Sequence, residues 1–137
     1  MNPPIDSFCD DAFCTEAFVA LASSQIKHQV AFYSALLKVA PNPDTANYAE
    51  FRFPGLRLAI FTPQSDNATE FSAASAPASG PMSLCLEVNS LERAIARLQT
   101  IGYPAPGEIM HTSHGQEIYA YDPDGNRLIL HQSPPKI

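Results

Sequence analysis

The side chains best able to do chemistry are Cys85, His131, Arg57 and Arg127. A thiol becomes a nucleophile when a base or a nearby cation lowers its pKa. Cys85 lies in the alternating stretch Ser83-Leu84-Cys85-Leu86-Glu87-Val88, and His131 or Arg127 could supply that partner. The commoner role of such a cysteine is a buried, inert one. His111 and His114 could join His131 in a metal site, but they sit in the polar run Thr112-Ser113-His114-Gly115 and are expected to be solvated. Arg57 and Arg127 could clamp a carboxylate or phosphate. Alternatively they tie strands together through Glu50, Glu87 or Glu117. The three cysteines are Cys9, Cys14 and Cys85. Cys9 and Cys14 together make half a zinc site without a matching CxxC. The odd count points to reduced thiols rather than a disulfide framework.

These residues must be held by strands. Tyr119 to His131 reads as strand, tight turn, strand, with Asp122-Pro123-Asp124-Gly125-Asn126 at the turn. Proline presets φ there, glycine accepts φ > 0, and Asp and Asn tolerate left-handed geometry. An earlier copy exists: Gly55-Leu-Arg-Leu-Ala-Ile-Phe61 aligns with Gly125-Asn-Arg-Leu-Ile-Leu-His131. Arg57 thereby matches Arg127, and Ala59 matches Ile129. A repeat of this kind suggests duplication with a pseudo-twofold.

Taken in order, residues 1–15 form a polar arm. Residues 16–22 read as a strand, and Ser23 or Ser24 caps a helix from Gln25 to about Lys38. Ile26, Val30, Tyr33 and Leu37 are its apolar stripe, with Leu36 beside them. Residues 47–53 and 56–62 are two strands. Residues 63–81, rich in Ala, Ser and Pro, read as a mobile linker draped over the surface. Then come a strand from Met82 to Val88, a helix from Leu91 to Ile101 capped by Ser90, a weak strand near Glu108 to His111, and the hairpin. Residues 133–137 are a tail. The expected architecture is α+β: two βαβββ modules, 16–62 and 82–132, forming a curved mixed sheet around a groove. The aliphatic faces pack on the helices, and the opposite faces line the groove.

The bulk properties narrow the partners. The 137 residues are 45% hydrophobic and only 16% charged, which suits one compact domain or two small modules sharing a core. The net charge is −6 with no basic stripe, so nucleic acid is excluded as an expected partner. No apolar run is long enough to cross a bilayer. No basic stretch followed by an apolar one opens the chain, and a cytoplasmic location is expected.

The pattern resembles the vicinal oxygen chelate superfamily, also called the glyoxalase/bleomycin-resistance/dioxygenase fold. The resemblance is carried by Phe18-Val-Ala-Leu-Ala, Ala31-Phe32-Tyr33, Leu86-Glu87-Val88-Asn89-Ser90-Leu91, Ala94 to Leu98 and Asp122 to Leu128, and spans about residues 16 to 132. It implies a homodimer. In enzymes of that superfamily, residues on the first and last strand of each module chelate a divalent metal, usually through His or Gln and then Glu. Here those positions fall on Phe18, Ala59, Ser83 and Ile129. Apolar groups cannot replace the water such an ion loses. The expectation is therefore no metal, no cofactor and no catalytic residue.

What remains is a bleomycin-resistance-like protein that binds a small organic molecule. Its expected ligand-binding residues are Phe18, Arg57, Ala59, Phe61, Ser83, Cys85, Arg127, Ile129 and His131. The alternatives are an enzyme of the same superfamily (lyase, isomerase or dioxygenase type), using displaced metal ligands or the thiol and imidazole, and a protein-interaction module with no ligand.

Overall fold

A computed structural model describes residues 13–71 and 80–135. Strand β1 is Val19–Ala22, helix α1 Ile26–Leu37, β2 Tyr48–Phe53 and β3 Leu56–Phe61. A 3-10 helix, Ser65–Phe71, follows. Then come β4 Leu84–Glu87, α2 Leu91–Thr100, β5 Met110–Thr112, β6 Gly115–Tyr121 and β7 Arg127–Gln132. The strands make two mixed sheets, ordered β1-β3-β2 and β4-β7-β6-β5. In each, the first strand runs parallel to the last and the last hairpin is antiparallel. The predicted α+β architecture is thus present.

The first sheet has one strand fewer than the second. Where the missing strand would run stands Pro41-Asn42-Pro43-Asp44, and two of these residues lack an N–H for a ladder. Only an isolated bridge between Asp44 and Ala49 forms, with Asn42 N donating to Glu50 O at 2.8 Å.

One core serves both sheets. Phe51, Leu58 and Ile60 from the first sheet and Ile118, Leu128 and Leu130 from the second join Phe32, Tyr33 and Leu36 of α1 and Leu91 and Leu98 of α2. Strand alternation sends these side chains to the helices and sends Arg57, Phe61, Arg127, Ile129 and His131 to the opposite face. On α1 the buried stripe is Gln29, Phe32, Tyr33 and Leu36. Ile26, Val30 and Leu37 are only half-buried, so the stripe is rotated from the expected one. The rotation follows from a polar contact. Gln29 and Tyr33 reach the β6–β7 turn, where Asp122 accepts from Gln29 Nε2 and Tyr33 Oη, each at 2.7 Å.

The helix ends also differ in part from expectation. Ser90 caps α2, accepting from Arg93 N at 3.1 Å. At α1 neither Ser23 nor Ser24 is the cap: Gln25 holds that position without a side-chain bond, while Ser23 Oγ accepts from Gln25 N. Helix α1 ends where expected, with Lys38 as its C-cap in left-handed geometry at φ 55°. The segment read as linker is partly ordered, for the Phe71 ring packs edge-on against Phe61 with centroids 5.3 Å apart. Residues 72–79, most of the arm including Cys9, and the last two residues of the tail lie outside the described residues. No helix among the described residues is long and apolar enough to cross a membrane.

Candidate functional site

The faces turned away from the helices carry the predicted site residues in three cross-strand rungs per sheet. Ala20 pairs with Ala59 and Ala22 with Phe61 on β1–β3; Cys85 pairs with Ile129 and Glu87 with His131 on β4–β7. The outermost rungs are the Phe18–Arg57 and Ser83–Arg127 contacts. Ala59 and Ile129 therefore hold the same place in the two sheets, as the internal repeat requires. The edges β1 and β4 flank a cavity of about 230 Å³, lined by Val19, Ala20, Leu21 and Leu58 on one side, by Met82, Ser83, Leu84, Asn126 and Arg127 on the other, and by Tyr33 of α1, so that it reaches through the seam to the helix side.

The two arginines stand in different surroundings. The Arg57 guanidinium lies 3.8 Å above the Phe18 ring and forms ion pairs at 3.1 Å with Glu16 and 3.2 Å with Glu50. Its Nε meets Glu16 at ion-pair distance without the alignment of a hydrogen bond. Burial pushes the Glu50 carboxyl up, but hydrogen bonds from Arg57 and Tyr48 and the charges of Arg57 and Arg52 outweigh it and hold the group below the usual carboxylate range. Arg57 is thus neutralised where it stands. Arg127 is not. Its Nε donates to Ser83 Oγ and its Nη2 to Gly80 O, both at 2.7 Å. Among the described residues no carboxylate lies within ion-pairing distance of it. The Tyr119 ring, exposed on the same face, lies 6.0 Å from its Cζ.

Glu87, which the sequence offered as a neutralising partner for Arg127, is occupied elsewhere. Its Oε1 lies 2.6 Å from His131 Nδ1 and its Oε2 accepts from Ser133 N at 2.8 Å. The hydrogen bond to Glu87 raises the His131 pKa above the ordinary imidazole value against the opposing effect of burial. The bonds from His131 and Ser133 hold Glu87 below the usual carboxylate range. The His114 ring stacks on His131 at 5.2 Å. His111 does not join them and instead faces Gln116 at 3.4 Å. Cys85, expected to be buried, is exposed because its strand position faces away from the helices. Cys14 is exposed as well.

The pair has a defined pH signature. A raised imidazole pKa contributes stability that is full below about 6.5 and is lost as pH rises through the folded value. A lowered carboxyl pKa contributes stability that is present above about 4.3 and is lost as pH falls through the folded value. The attraction is therefore greatest between those limits. Glu87→Gln is expected to lower the melting temperature more at pH 5.5 than at pH 8.5, and to return the His131 pKa toward its ordinary value in an NMR titration. An equal loss at both pH values would show that the pair is not charged.

The four chelating positions that the resemblance implies carry three hydrocarbon side chains, Phe18, Ala59 and Ile129, and one hydroxyl, Ser83, which already accepts from Arg127. That donor set does not fit a divalent ion, which requires several N, O or S ligands converging at bonding distance. Among the described residues no group of three or more His, Cys, Asp or Glu is placed to hold one elsewhere.

The residue that sequence reasoning undervalued is Asp122. Its carboxylate is buried and accepts five hydrogen bonds, from Gln29 Nε2, Tyr33 Oη, Asp124 N, Asn126 N and Asn126 Nδ2. Burial, with the charge and hydrogen bond of Asp122, raises the Tyr33 pKa well above the usual phenol range. The Asp-x-Asp-x-Asn spacing signalled the turn contacts; the reach of α1 into them left no local trace.

The family model of the Glyoxalase/Bleomycin resistance protein/Dioxygenase superfamily matches residues 17–130. No curated protein matches the sequence. Solved structures with the same fold include a glyoxalase-related enzyme from Fulvimarina pelagi, 20% identical, with a TM-score of 0.69 over 88% of this chain and 90% of that one. A bleomycin-binding protein complexed with bleomycin is 19% identical, with a TM-score of 0.61 over 87% and 98%. A genomically encoded fosfomycin resistance protein from Listeria monocytogenes is 16% identical, with a TM-score of 0.69 over 90% and 96%. With this match over most of its length, the chain belongs to the Glyoxalase/Bleomycin resistance protein/Dioxygenase superfamily.

Proposed function

We propose that the protein binds a small organic acid, without a metal, on the helix-free faces between modules 16–62 and 82–132. The observation that carries this reading is Arg127: a guanidinium without a carboxylate partner among the described residues, beside the cavity at the β1–β4 seam. Apolar walls with a few convergent polar groups are the usual plan of a small-molecule site. Ala20, Met82 and Ser83 line that cavity, and Tyr119 and Ile129 share the Arg127 face of the second sheet beside it. Arg57, ion-paired with Glu16 and with a Glu50 that it shares with Arg52, is a strut that holds Glu16 and the β2–β3 hairpin. The likeness to a bleomycin-binding protein supports sequestration as the mode of action.

An enzymatic reading through Cys85 and His131 is less well supported. Nδ1 of His131 is engaged by Glu87, and its Nε2 is buried without a partner, so neither nitrogen is presented to a substrate.

The test combines metal analysis with binding. Protein purified without chelator is expected to hold no stoichiometric zinc, iron, manganese or nickel. Equilibrium dialysis against aromatic acids is expected to give hits that Arg127→Ala weakens at least tenfold, the scale of about 1.4 kcal/mol for a charged contact. Arg57→Ala should change the same hits less than threefold. One equivalent of bound metal, or equal affinity in the Arg127→Ala variant, overturns the assignment.

We further propose that the chain forms a homodimer in the cytoplasm. Light scattering should then give about twice 14.9 kDa, and a concentration-independent monomer would refute it.

A further inference from the structure

We infer that the protein has a second ligand site, on the helix side of the sheets, for a small amphiphilic anion such as a medium-chain carboxylate. The site is a cavity of about 460 Å³, twice the volume of the one at the β1–β4 seam. It lies between the C-terminal end of α1, the end of β2 and one face of α2. Its floor includes Leu37, Phe53, Leu86 and Val88, which pack against the core yet remain only half-buried. Apolar surface left open in this way favours an apolar occupant.

Arg93 and Arg97 stand over that floor. They are four residues apart, on the same face of α2. Arg97 donates from Nη1 to Leu36 O at 3.0 Å, which ties its head to the end of α1. Neither arginine has a carboxylate within ion-pairing distance among the described residues. Glu87 borders the cavity, but its carboxylate is held by His131 and Ser133. Two adjacent guanidinium groups without counter-charge repel each other, and one bound carboxylate relieves that repulsion while accepting their N–H groups. The α2 N-terminus is not part of the recognition, for Ser90 caps Arg93 N and Gln132 Oε1 accepts from Leu91 N at 2.7 Å. A volume of this size suits a small molecule. The combination of an apolar floor with a cationic rim selects one acidic head and one hydrocarbon body.

The experiment is a titration of the full chain with octanoate, followed by amide chemical shifts so that the location is read along with the affinity. Saturable shifts are expected at Leu37, Phe53, Val88 and Ala94. 1-Octanol and acetate, which lack the charge and the tail respectively, should bind at least tenfold more weakly. Arg93→Glu should weaken octanoate at least tenfold. Arg93 is exposed and makes no side-chain hydrogen bond among the described residues, so this variant keeps the fold. Ala94→Trp should fill the cavity and abolish the shifts. The inference is overturned if these amides show no saturable shift, if octanol binds as tightly as octanoate, or if Arg93→Glu leaves the affinity unchanged.

Discussion

Replacing Asp122 with alanine is expected to destabilise the protein by about 3–5 kcal/mol, the cost of removing one partner of a buried charged network. At this chain length that corresponds to a fall in melting temperature of about 10–17 °C. Truncation removes one acceptor and strands five donors, of which Gln29 Nε2 and Tyr33 Oη are buried in the core. The loss is larger than that of an ordinary hydrogen bond because those two donors cannot reach water. It also uncouples α1 from the β6–β7 hairpin. Asp122→Asn keeps one oxygen but turns an NH2 toward donors, and should cost about 2–3 kcal/mol. Tyr33→Phe, which removes a single donor, should cost about 1–2 kcal/mol. Urea melts with an unchanged m-value would report this order. A loss below about 1 kcal/mol for Asp122→Ala would mean that the joint is dispensable.

Gly115→Ala is the other substitution with a large expected cost, about 3 kcal/mol or more from a strained backbone and a steric overlap. Gly115 has φ +138°, a region L side chains rarely enter. A Cβ there would lie 2.3 Å from Gln132 O and 3.0 Å from His131 Nε2. The nearer atom is backbone at the paired end of β7 and cannot rotate away as a side chain would. The β6–β7 pairing must open to admit the methyl group, and the Glu87–His131 pair shifts with it. The measurement is the midpoint of urea unfolding together with the His131 pKa. A variant as stable as the parent, with an unmoved His131, would contradict this geometry.

The fold was legible because its signals are local and repeated. Alternation in Leu56–Phe61 and Arg127–Gln132 fixed two strands, and their alignment fixed the equivalence of Ala59 and Ile129 that the register shows. Ser90 capped a helix because an N-cap needs only the next three residues. The shift of the α1 stripe toward Gln29 was not legible. Gln29 is polar, and its burial depends on Asp122, 93 residues away. The missing strand near Pro41 and Pro43 was legible in principle, since prolines weaken a ladder, but the repeat argued the other way.

At the candidate site, strand alternation placed these residues on one face but left their partners open. The choice between Arg57 and Arg127 turned on carboxylates contributed by other segments. Glu16 and Glu50 fall to Arg57, and Glu87 falls to His131. Composition and spacing carry no record of that allotment, because a side chain reaches several cross-strand neighbours within a few ångströms.

The most direct test of the binding reading is a crystal structure of the complex with the tightest acid found by dialysis, grown in the presence of chelator. The ligand carboxylate is expected on the Arg127 guanidinium at hydrogen-bonding distance, with the ligand body against Tyr119 and Ile129 and no metal between the sheets. A carboxylate seated on Arg57, or binding that vanishes with chelator and returns with an added divalent ion, would contradict it.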